Sequence, residues 1–203
     1  MEFQKLTKSR HAVKKFDGKK VPTVDVRQII DTAALAPSGI NIQSWHFVIV
    51  ESDEARRKLL LEVNPSNREQ VETAGAVVML FADTNWSSRL HLIAERMGDE
   101  ASDIERERLL ERYPAYVSTF SKEYMLEYMA INSGLVTMNL MYAIKDMGYE
   151  GNILLGFNRS KKINEILDIN PRYIPELLIT LGSSDEKGQA SYRLPQQDIL
   201  EIR

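Results

Sequence analysis

Apolar positions along this chain follow two periods, and each period predicts a different kind of secondary structure. Apolar residues three and four positions apart form one face of a helix, whereas short runs rich in β-branched and aromatic residues form strands. The first helix is predicted from an N-cap at Thr23 to the turn Pro37-Ser38-Gly39, with further helices at 53–63, 87–112, 121–147 and 160–167. Strands are predicted at 45–50, 74–82, 149–155 and 176–182, and the alternating segment 198–203 is a candidate edge strand.

The segment 121–147 carries the longest helical pattern, and its apolar residues lie on more than one face. A helix that is apolar on most faces is buried on most faces, either in a core or at a subunit interface. At 1.5 Å per residue this segment is about 40 Å long, so we expect it to serve as both core helix and interface. Its methionines are interpreted as core packing rather than as a ligand pocket. The preceding segment 113–121 contains Pro114 and is expected to interrupt the helical pattern.

Mixed strands with a majority of helix predict an α+β or three-layer architecture, in which helices flank a central sheet. No internal repeat, low-complexity segment or linker is visible, so residues 1–203 are expected to form a single domain. The formal net charge of −3 argues against a general nucleic-acid binder. The most apolar run, 134–144, is about half the ~20 residues that cross a bilayer, so no membrane contact is expected.

Several kinds of chemistry are excluded by what the sequence lacks. The absence of cysteine removes disulfides, thiolate catalysis, iron–sulfur clusters and cysteine zinc sites, and it fits a reducing, cytoplasmic setting. The histidines His11, His46 and His91 show no metal-ligand spacing, so no metal is expected. The glycine fingerprints of Rossmann and P-loop nucleotide sites are missing, as is a G-x-S-x-G elbow.

A basic cluster near the start of the chain is the first candidate for ligand binding. Residues 1–20 contain seven Lys or Arg against two acidic residues, in a chain that is acidic overall. If this stretch is helical, Arg10 and Lys14 are four residues apart and project together, as an anion site requires. Arg suits a phosphate because its planar fork donates two parallel hydrogen bonds. The alternative interpretation is a solvated, basic helix end.

Three further polar segments lie at the ends of predicted elements. Asn41 and Gln43 are alternating amides just before a strand, and side-chain amides can both donate to and accept from a heterocycle. Gly156 follows a strand, where glycine permits close approach of backbone to a ligand. Arg193 places another guanidinium near the C-terminus. Each of these segments is also compatible with an ordinary turn.

Taken together and in order, these motifs resemble those of the flavin-dependent nitroreductase family. The resemblance covers nearly the whole chain and rests on Arg10-His11-x-x-Lys14-x-Phe16, Pro37-Ser38-x-x-Asn41-x-Gln43-x-Trp45-His46-Phe47, Gly156-Phe157 and Arg193-Leu194-Pro195. It implies an FMN-binding, intertwined homodimer with an α+β sandwich around a mostly antiparallel sheet. It also implies two active sites at the dimer interface and a C-terminal segment, 198–203, that adds a strand to the sheet of the other subunit.

The resemblance assigns cofactor contacts to individual residues of this chain. Arg10 and Arg193 would hold the FMN phosphate, and His11 would line the same region. Lys14 would lie near the N1–C2 carbonyl edge of the flavin, and Asn67 would contact the pyrimidine side of the ring. The residues that would approach from the other subunit are Pro37, Ser38, Asn41 and Gln43.

The chain departs from the family pattern at several of these positions. Ala12 stands where many relatives have Ser, so one phosphate or ribityl hydrogen bond is expected to be missing, and Ser191 replaces a Lys near the phosphate. Leu155 occupies a position often held by Glu, but the family uses a backbone N–H there. Gln70 stands where close relatives carry a second Lys. We therefore expect a lower two-electron potential than in relatives with both lysines, because less positive charge stabilises the reduced flavin.

The cofactor would supply the chemistry, and the protein would bind, orient and tune it. The resemblance implies ping-pong turnover, in which NAD(P)H reduces the flavin and an electron-poor acceptor such as a nitroaromatic or quinone then takes its place. No catalytic side chain is predicted. Phe120 and Tyr124 are candidates for the walls of the substrate slot, although packing would also account for them. The alternatives are a flavin, enone or pteridine reductase of the same fold and a non-catalytic FMN-binding dimer.

Overall fold

The computed structural model describes residues 2–186 and 188–203. Its helices are α1 (Phe3–Ser9), α2 (Thr23–Ala33), α3 (Asp53–Glu62), α4 (Arg68–Thr73), α5 (Trp86–Met97), α6 (Asp103–Glu107), α7 (Tyr113–Val117), α8 (Lys122–Asp146) and α9 (Lys161–Leu167). Its strands are β1 (Trp45–Ile49), β2 (Ala76–Asp83), β3 (Glu150–Leu154) and β4 (Tyr173–Gly182). None of the helices formed by the described residues has both the length and the apolar character needed to cross a membrane.

The described strands form one sheet in the order β1-β2-β4-β3, and each neighbouring pair is antiparallel. β2 is central and buried along its whole length. A register shift between Leu80 and Phe81 marks an irregularity in its pairing with β4. β1 and β3 stand at the two ends of the strand order and are the edges of the sheet.

Alternating residues of β2 face two different hydrophobic cores. Val78 and Leu80 pack with α2 and α8 on one face of the sheet. Val77, Met79 and Phe81 pack with α3, α4 and α9 on the other face. Because side chains alternate across a strand, helices can cover both faces, as a strand that is apolar throughout requires. This arrangement confirms the predicted α+β sandwich with a mostly antiparallel sheet flanked by helices.

α8 is the long central helix predicted from the segment 121–147, and Ser121 caps its N-terminus by accepting a hydrogen bond from the Tyr124 N–H. Its C-terminal half packs in the core beneath the sheet. Its N-terminal half joins a third cluster with α5, α7 and the buried side chain of Ile42. Several apolar side chains of α8 are exposed in the single chain, namely Tyr124, Leu126, Ile131 and Leu135.

The basic N-terminal cluster is helical only as far as Ser9, so the predicted projection of Arg10 and Lys14 from one helix face is wrong. α1 ends at Ser9, and Arg10 has extended backbone angles of φ −81° and ψ 116°. Ala12 then forms a parallel bridge with Gly151 on β3. The side chains of Val13 and Phe16 are buried in the core that contains α3 and α4. Pairing with β3 and burial of these two side chains thus override the local helical spacing.

The segment 87–121 is broken where one continuous helix was predicted, and it is helical where an interruption was predicted. The predicted helix 87–112 is interrupted, because α5 ends before Gly98, whose φ of +54° is left-handed, and a Ser102 capping box starts α6. Conversely, residues 113–117 are helical rather than irregular. Pro114 lies in the first turn of α7, where its missing N–H is not needed for an intrahelical bond.

The C-terminal segment forms no strand within the described chain. Gln196–Asp198 is a 3₁₀ turn, and residues 199–203 are irregular and exposed. Ile202, at 92% exposure, is among the most exposed apolar side chains. The predicted exchange of this strand with a second subunit therefore stays a prediction.

Candidate functional site

The 37–43 loop, defined as Pro37 to Gln43, contains three non-glycine residues in the left-handed region. Their φ angles are +51° at Ile40, +54° at Asn41 and +46° at Gln43. Such a conformation is a genuine outlier for a β-branched residue, and each such residue costs about 1–3 kcal/mol. Strain of this kind persists only where the surrounding structure fixes it, and it concentrates at ligand-binding segments.

Contacts inside the loop hold this conformation and aim two amide side chains. Ser38 Oγ accepts a hydrogen bond from the Gln43 backbone N–H at 3.0 Å, which closes the loop. Gln43 Nε2 donates to Asn41 Oδ1 at 3.2 Å, so the two amides predicted from the sequence are adjacent. Ile42 is fully buried in the cluster beneath α5 and α8 and anchors the loop. Pro37 and Asn41 are exposed.

A second group of polar residues forms where α4 meets the end of β3. Asn152 Nδ2 donates to Gln70 Oε1, and Gln70 Nε2 donates to Asn67 Oδ1 at 3.2 Å. Asn67 Nδ2 in turn lies 3.4 Å from the carbonyl oxygen of Gly156. We call these three linked side chains the amide chain. Because Gln70 is only 3% exposed, its two bonds satisfy a buried amide and fix which way it points.

Glycine is required at position 156 by the amide chain itself. A Cβ atom there would lie 2.3 Å from Asn67 Nδ2 and 3.0 Å from Asn64 Nδ2. The Gly156 carbonyl also accepts a hydrogen bond from the Asn64 N–H at 2.9 Å. The structure thus brings together Asn67, Gln70 and Gly156, three residues that the sequence predicted for one site. The adjacent Leu155 is 65% exposed and directs no polar group to it.

The N-terminal and C-terminal segments meet beside β3. Ala12 and Lys14 line a cavity of about 630 Å³ together with Glu186, Gly188, Gln189 and Ser191. A Cβ on Gly188 would lie 2.7 Å from the His11 Cβ, so the two segments are in close contact. Lys15 forms an ion pair with Glu69 at 3.0 Å, which raises the pKa of Lys15. Of the two adjacent lysines, it is Lys14 that lines the cavity.

The two predicted phosphate ligands are Arg10, just after α1, and Arg193, near the C-terminus. Arg10 is half-buried and follows directly after α1. Arg193 is exposed, and its Nη1 donates to the carbonyl oxygen of Tyr192 at 3.0 Å. Arg193 lies two positions beyond Ser191, a residue of the cavity wall, and Arg10 lies two positions before Ala12, another wall residue.

No hydrogen bond or ion pair between described residues joins the 37–43 loop to the amide chain. The loop is held against α8, whereas the amide chain connects α4 and β3. The predicted arrangement, in which the 37–43 loop approaches the flavin bound by the other subunit, stays a prediction.

Two structural features of the site were missed from the sequence. Asn152 was assigned only to a strand, although an amide in an apolar strand is unusual and could have marked it. An aromatic cluster was only partly predicted. Phe120 and Tyr124 contact each other with ring centroids 4.6 Å apart, and Tyr128 lies 5.5 Å from Phe120 and 5.3 Å from Trp86. Burial raises the pKa of Tyr128 above its ordinary value.

A sequence model described as the nitroreductase family matches residues 7–183. The chain belongs to the nitroreductase family. This is an oxidoreductase family, and the family resemblance predicted from the ordered motifs is confirmed. A protein of Streptococcus pyogenes serotype M6, provisionally named NAD(P)H nitroreductase Spy0809, is 43% identical over 203 residues and is covered completely, as is this chain.

Two other similar proteins bear on the chemistry. A crystal structure of a provisionally assigned nitroreductase from Exiguobacterium sibiricum 255-15 in complex with FMN has a TM-score of 0.93 and 28% identity, covering 100% of this chain and 98% of that one. A CLA biosynthesis enone reductase of Lactiplantibacillus plantarum is 30% identical over 184 residues, covering 88% of this chain and 84% of the relative. The first supports the expected FMN cofactor, and the second supports keeping enone reduction as an alternative.

Proposed function

We propose that this chain is an FMN-dependent NAD(P)H oxidoreductase that reduces nitroaromatics, quinones or related electron-poor acceptors. Residues 1–203 form its single FMN-binding domain, it acts as a homodimer, and the cysteine-free sequence fits a cytoplasmic setting. The observation that carries the proposal is the convergence of Asn67, Gln70 and Gly156 at one point of a nitroreductase-family fold.

The residues present fit a flavin mononucleotide. The amide chain offers donors and acceptors that match the pyrimidine edge of an isoalloxazine, and Gly156 has no side chain that would displace Asn67. The cavity beside Ala12 and Lys14 has room for the polar ribityl phosphate. Arg10 and Arg193 would neutralise that phosphate, as a bidentate guanidinium can. The 37–43 loop of a second copy would complete the site.

The sheet has one edge at which a second copy can add a strand. The outer side of β3 is bridged by Ala12, whereas no strand of the described chain pairs with the outer side of β1. The exposed tail 198–203 of a second copy would pair with β1, and the exposed apolar residues of α8 would be covered in the same dimer. Burial of these side chains supplies the driving force for association.

When bound, FMN would supply the chemistry for hydride transfer from NAD(P)H and for reduction of the acceptor. The protein residues then have three tasks, which are to hold the ring, to neutralise the phosphate and to present one flat face to both substrates. Asn67 would hydrogen-bond the ring, and the buried Gln70 would keep the Asn67 amide in place. The aromatic cluster at Phe120 and Tyr124 would offer an apolar surface for planar acceptors. No side chain is required as acid or base, and we assign none.

An absorption spectrum of the purified dimer, followed by anaerobic addition of NADH and then of NADPH, tests the proposal. Flavin bands that bleach are expected, and the faster nucleotide identifies the donor. Bands that persist would favour a non-catalytic FMN-binding dimer. A colourless protein that also fails to take up added FMN would overturn the assignment of Arg10, Lys14, Asn67 and Arg193.

Enone reduction is the second candidate function, and the enone reductase relative is the observation that favours it. The same fold and cofactor would serve, because an enone is also a planar, electron-poor acceptor. Comparison of kcat/KM for an enone, a quinone, a nitroaromatic, a pteridine and free flavin distinguishes these reductases. An enone preferred by tenfold or more over all the others would replace nitroaromatic or quinone reduction as the assigned activity.

A further inference from the structure

We propose that Asn132, in the middle of α8, is a positioning residue that fixes the strained conformation of the 37–43 loop. The inference rests on the proposed function, because that loop is expected to contact the flavin. The role of Asn132 is indirect, since the residue acts through the loop.

Asn132 is a buried polar residue whose two amide atoms are both used. It is 2% exposed and lies between the buried side chains of Met129 and Val136 along the helix. Its Oδ1 accepts a hydrogen bond from the Gly39 N–H at 2.9 Å, and its Nδ2 donates to the Tyr128 carbonyl oxygen at 2.8 Å. If the Asn132 amide were flipped, its NH₂ group would face the Gly39 N–H and its oxygen would face the Tyr128 carbonyl oxygen, so the orientation is fixed. Burial of a polar group is tolerated only with such partners.

A second residue of α8 contacts the loop at the same glycine. A Cβ on Gly39 would lie 1.8 Å from the Tyr128 hydroxyl oxygen, so the phenol ring lies directly against the loop backbone. Tyr128 and Asn132 are four residues apart and therefore share one face of the helix. The Tyr128 ring is itself held by Trp86 and Phe120 in the aromatic cluster. The loop is thus fixed at its start by a rigid helix.

The position of this contact explains how the loop maintains its strain. The Gly39 N–H comes immediately before Ile40, the β-branched residue with φ +51°. Without the bond to Asn132, the loop can relax toward ordinary backbone angles and carry Asn41 and Gln43 away from their positions. We therefore expect loss of this bond to weaken FMN binding about tenfold, the factor equivalent to one net buried hydrogen bond.

The test compares Asn132→Leu with a matched control on the same helix. Leu keeps the branched shape and the number of side-chain heavy atoms but removes both hydrogen bonds. Thr137→Val is the control, because Thr137 is also buried on α8 and its hydroxyl donates only to the Ser133 carbonyl oxygen, within the helix. FMN dissociation constants and the visible circular dichroism of bound FMN are measured for both, with thermal melting of the apoproteins.

The expected result is a roughly tenfold higher dissociation constant and an altered dichroic band for Asn132→Leu, with Thr137→Val unchanged in both. Asn132→Asp, which keeps an acceptor for the Gly39 N–H, is expected to recover part of the affinity. Unchanged FMN binding in Asn132→Leu, or equal weakening in Thr137→Val, would overturn the inference while leaving the proposed function intact.

A second variant approaches the same contact from the loop and keeps the inference testable if Asn132→Leu does not fold. Gly39→Ala places a methyl group against the Tyr128 hydroxyl and must displace the loop or the Tyr128 ring, which breaks the contact between them. It is expected to weaken FMN binding by a similar factor, and unchanged binding in this folded variant would again refute the role of α8. Wild-type protein that takes up no FMN would instead overturn the proposed function and this inference with it.

Discussion

Asn152 Nδ2 donates a hydrogen bond to Gln70 Oε1, and this contact between β3 and α4 fixes the polarity of the whole amide chain. With its oxygen engaged, Gln70 presents its Nε2 to Asn67 Oδ1, and Asn67 presents its own Nδ2 toward Gly156. Every hydrogen bond in the amide chain runs in the same donor-to-acceptor direction, and none of its side chains is charged. A neutral donor therefore stands where close relatives of the family are expected to carry a lysine.

Because the amide chain is neutral, we expect the bound flavin to have a lower two-electron potential than it would have beside a second lysine. Gln70→Lys should raise its two-electron potential by about 30 mV, equivalent to about 1.4 kcal/mol, because positive charge stabilises the reduced, negatively charged ring. Anaerobic titration against a dye of known potential measures the shift. Gln70→Met controls for loss of the amide bonds without added charge. An equal or lower potential in Gln70→Lys would refute the electrostatic argument.

Gly156→Ala should weaken FMN binding at least tenfold, because its Cβ would collide with Asn67 Nδ2 and turn that amide out of place. Isothermal titration of apoprotein with FMN measures the loss. The same substitution in an Asn67→Ala background provides the control, since the collision is then removed. The two effects should be strongly non-additive, and simple additivity would show that Asn67 does not carry the effect.

Glu62 should make stability depend on pH in the acid range. Its buried carboxylate pairs with Lys162 and accepts from Asn158 at 2.9 Å, and these two partners hold its pKa below the ordinary value. A carboxyl whose pKa is depressed by folding adds stability above its unfolded pKa, and this stability is lost as the pH falls through the folded pKa. Glu62→Gln should cost about 1–2 kcal/mol at pH 7.

Thermal unfolding between pH 7 and pH 3 tests this prediction. The difference between wild type and Glu62→Gln should shrink below pH 4.3 or so, near the unfolded pKa of Glu. Glu54→Gln is the comparison, because Glu54 pairs with Lys58 at the surface and should matter little. A difference that stays constant across the pH range would mean that the charge of Glu62 is not what stabilises the fold.

Removal of residues 198–203 should weaken dimerisation at least tenfold, because the β1 edge of each subunit would lose its added strand. Analytical ultracentrifugation over a concentration series measures the dissociation constant. Glu201→Gln changes the same segment without shortening it and should leave the dimer intact. Dimers of unchanged affinity after truncation would place the interface on α8 alone.

Much of this fold follows from local patterns, and the misassigned segment around Ala12 shows where such patterns fail. β2 and α8 were predictable because their apolar runs reflect burial that any packing would require. The segment around Ala12 was not, because its extended conformation comes from pairing with Gly151, about 140 positions along the chain. Spacing along the sequence cannot reveal a partner that only the folded sheet provides.

The candidate site likewise combines residues that could be predicted from the sequence with one that could not. Asn67, Gln70 and Gly156 could be predicted through the family motifs, and the structure joins them by hydrogen bonds. Asn132 was not predicted, since helical periodicity is determined from apolar positions and a buried amide counts only as an exception to it. Its partner, the Gly39 N–H, becomes visible only when α8 is packed against the loop.

The bridge between Ala12 and Gly151 has a consequence for how many copies can join. In the proposed dimer the bridge occupies the β3 side, so the described residues of each chain offer one vacant strand position, at β1, and one tail to fill the vacancy of the other chain. Two chains that exchange tails satisfy each other completely, and no position is left at which a third could be added. If each chain instead gave its tail to a different chain from the one whose tail it received, an unpaired tail and an unpaired β1 edge would remain at the two ends. Chains could then be added without limit. Closing one side of the sheet therefore favours a finite pair over a growing fibre.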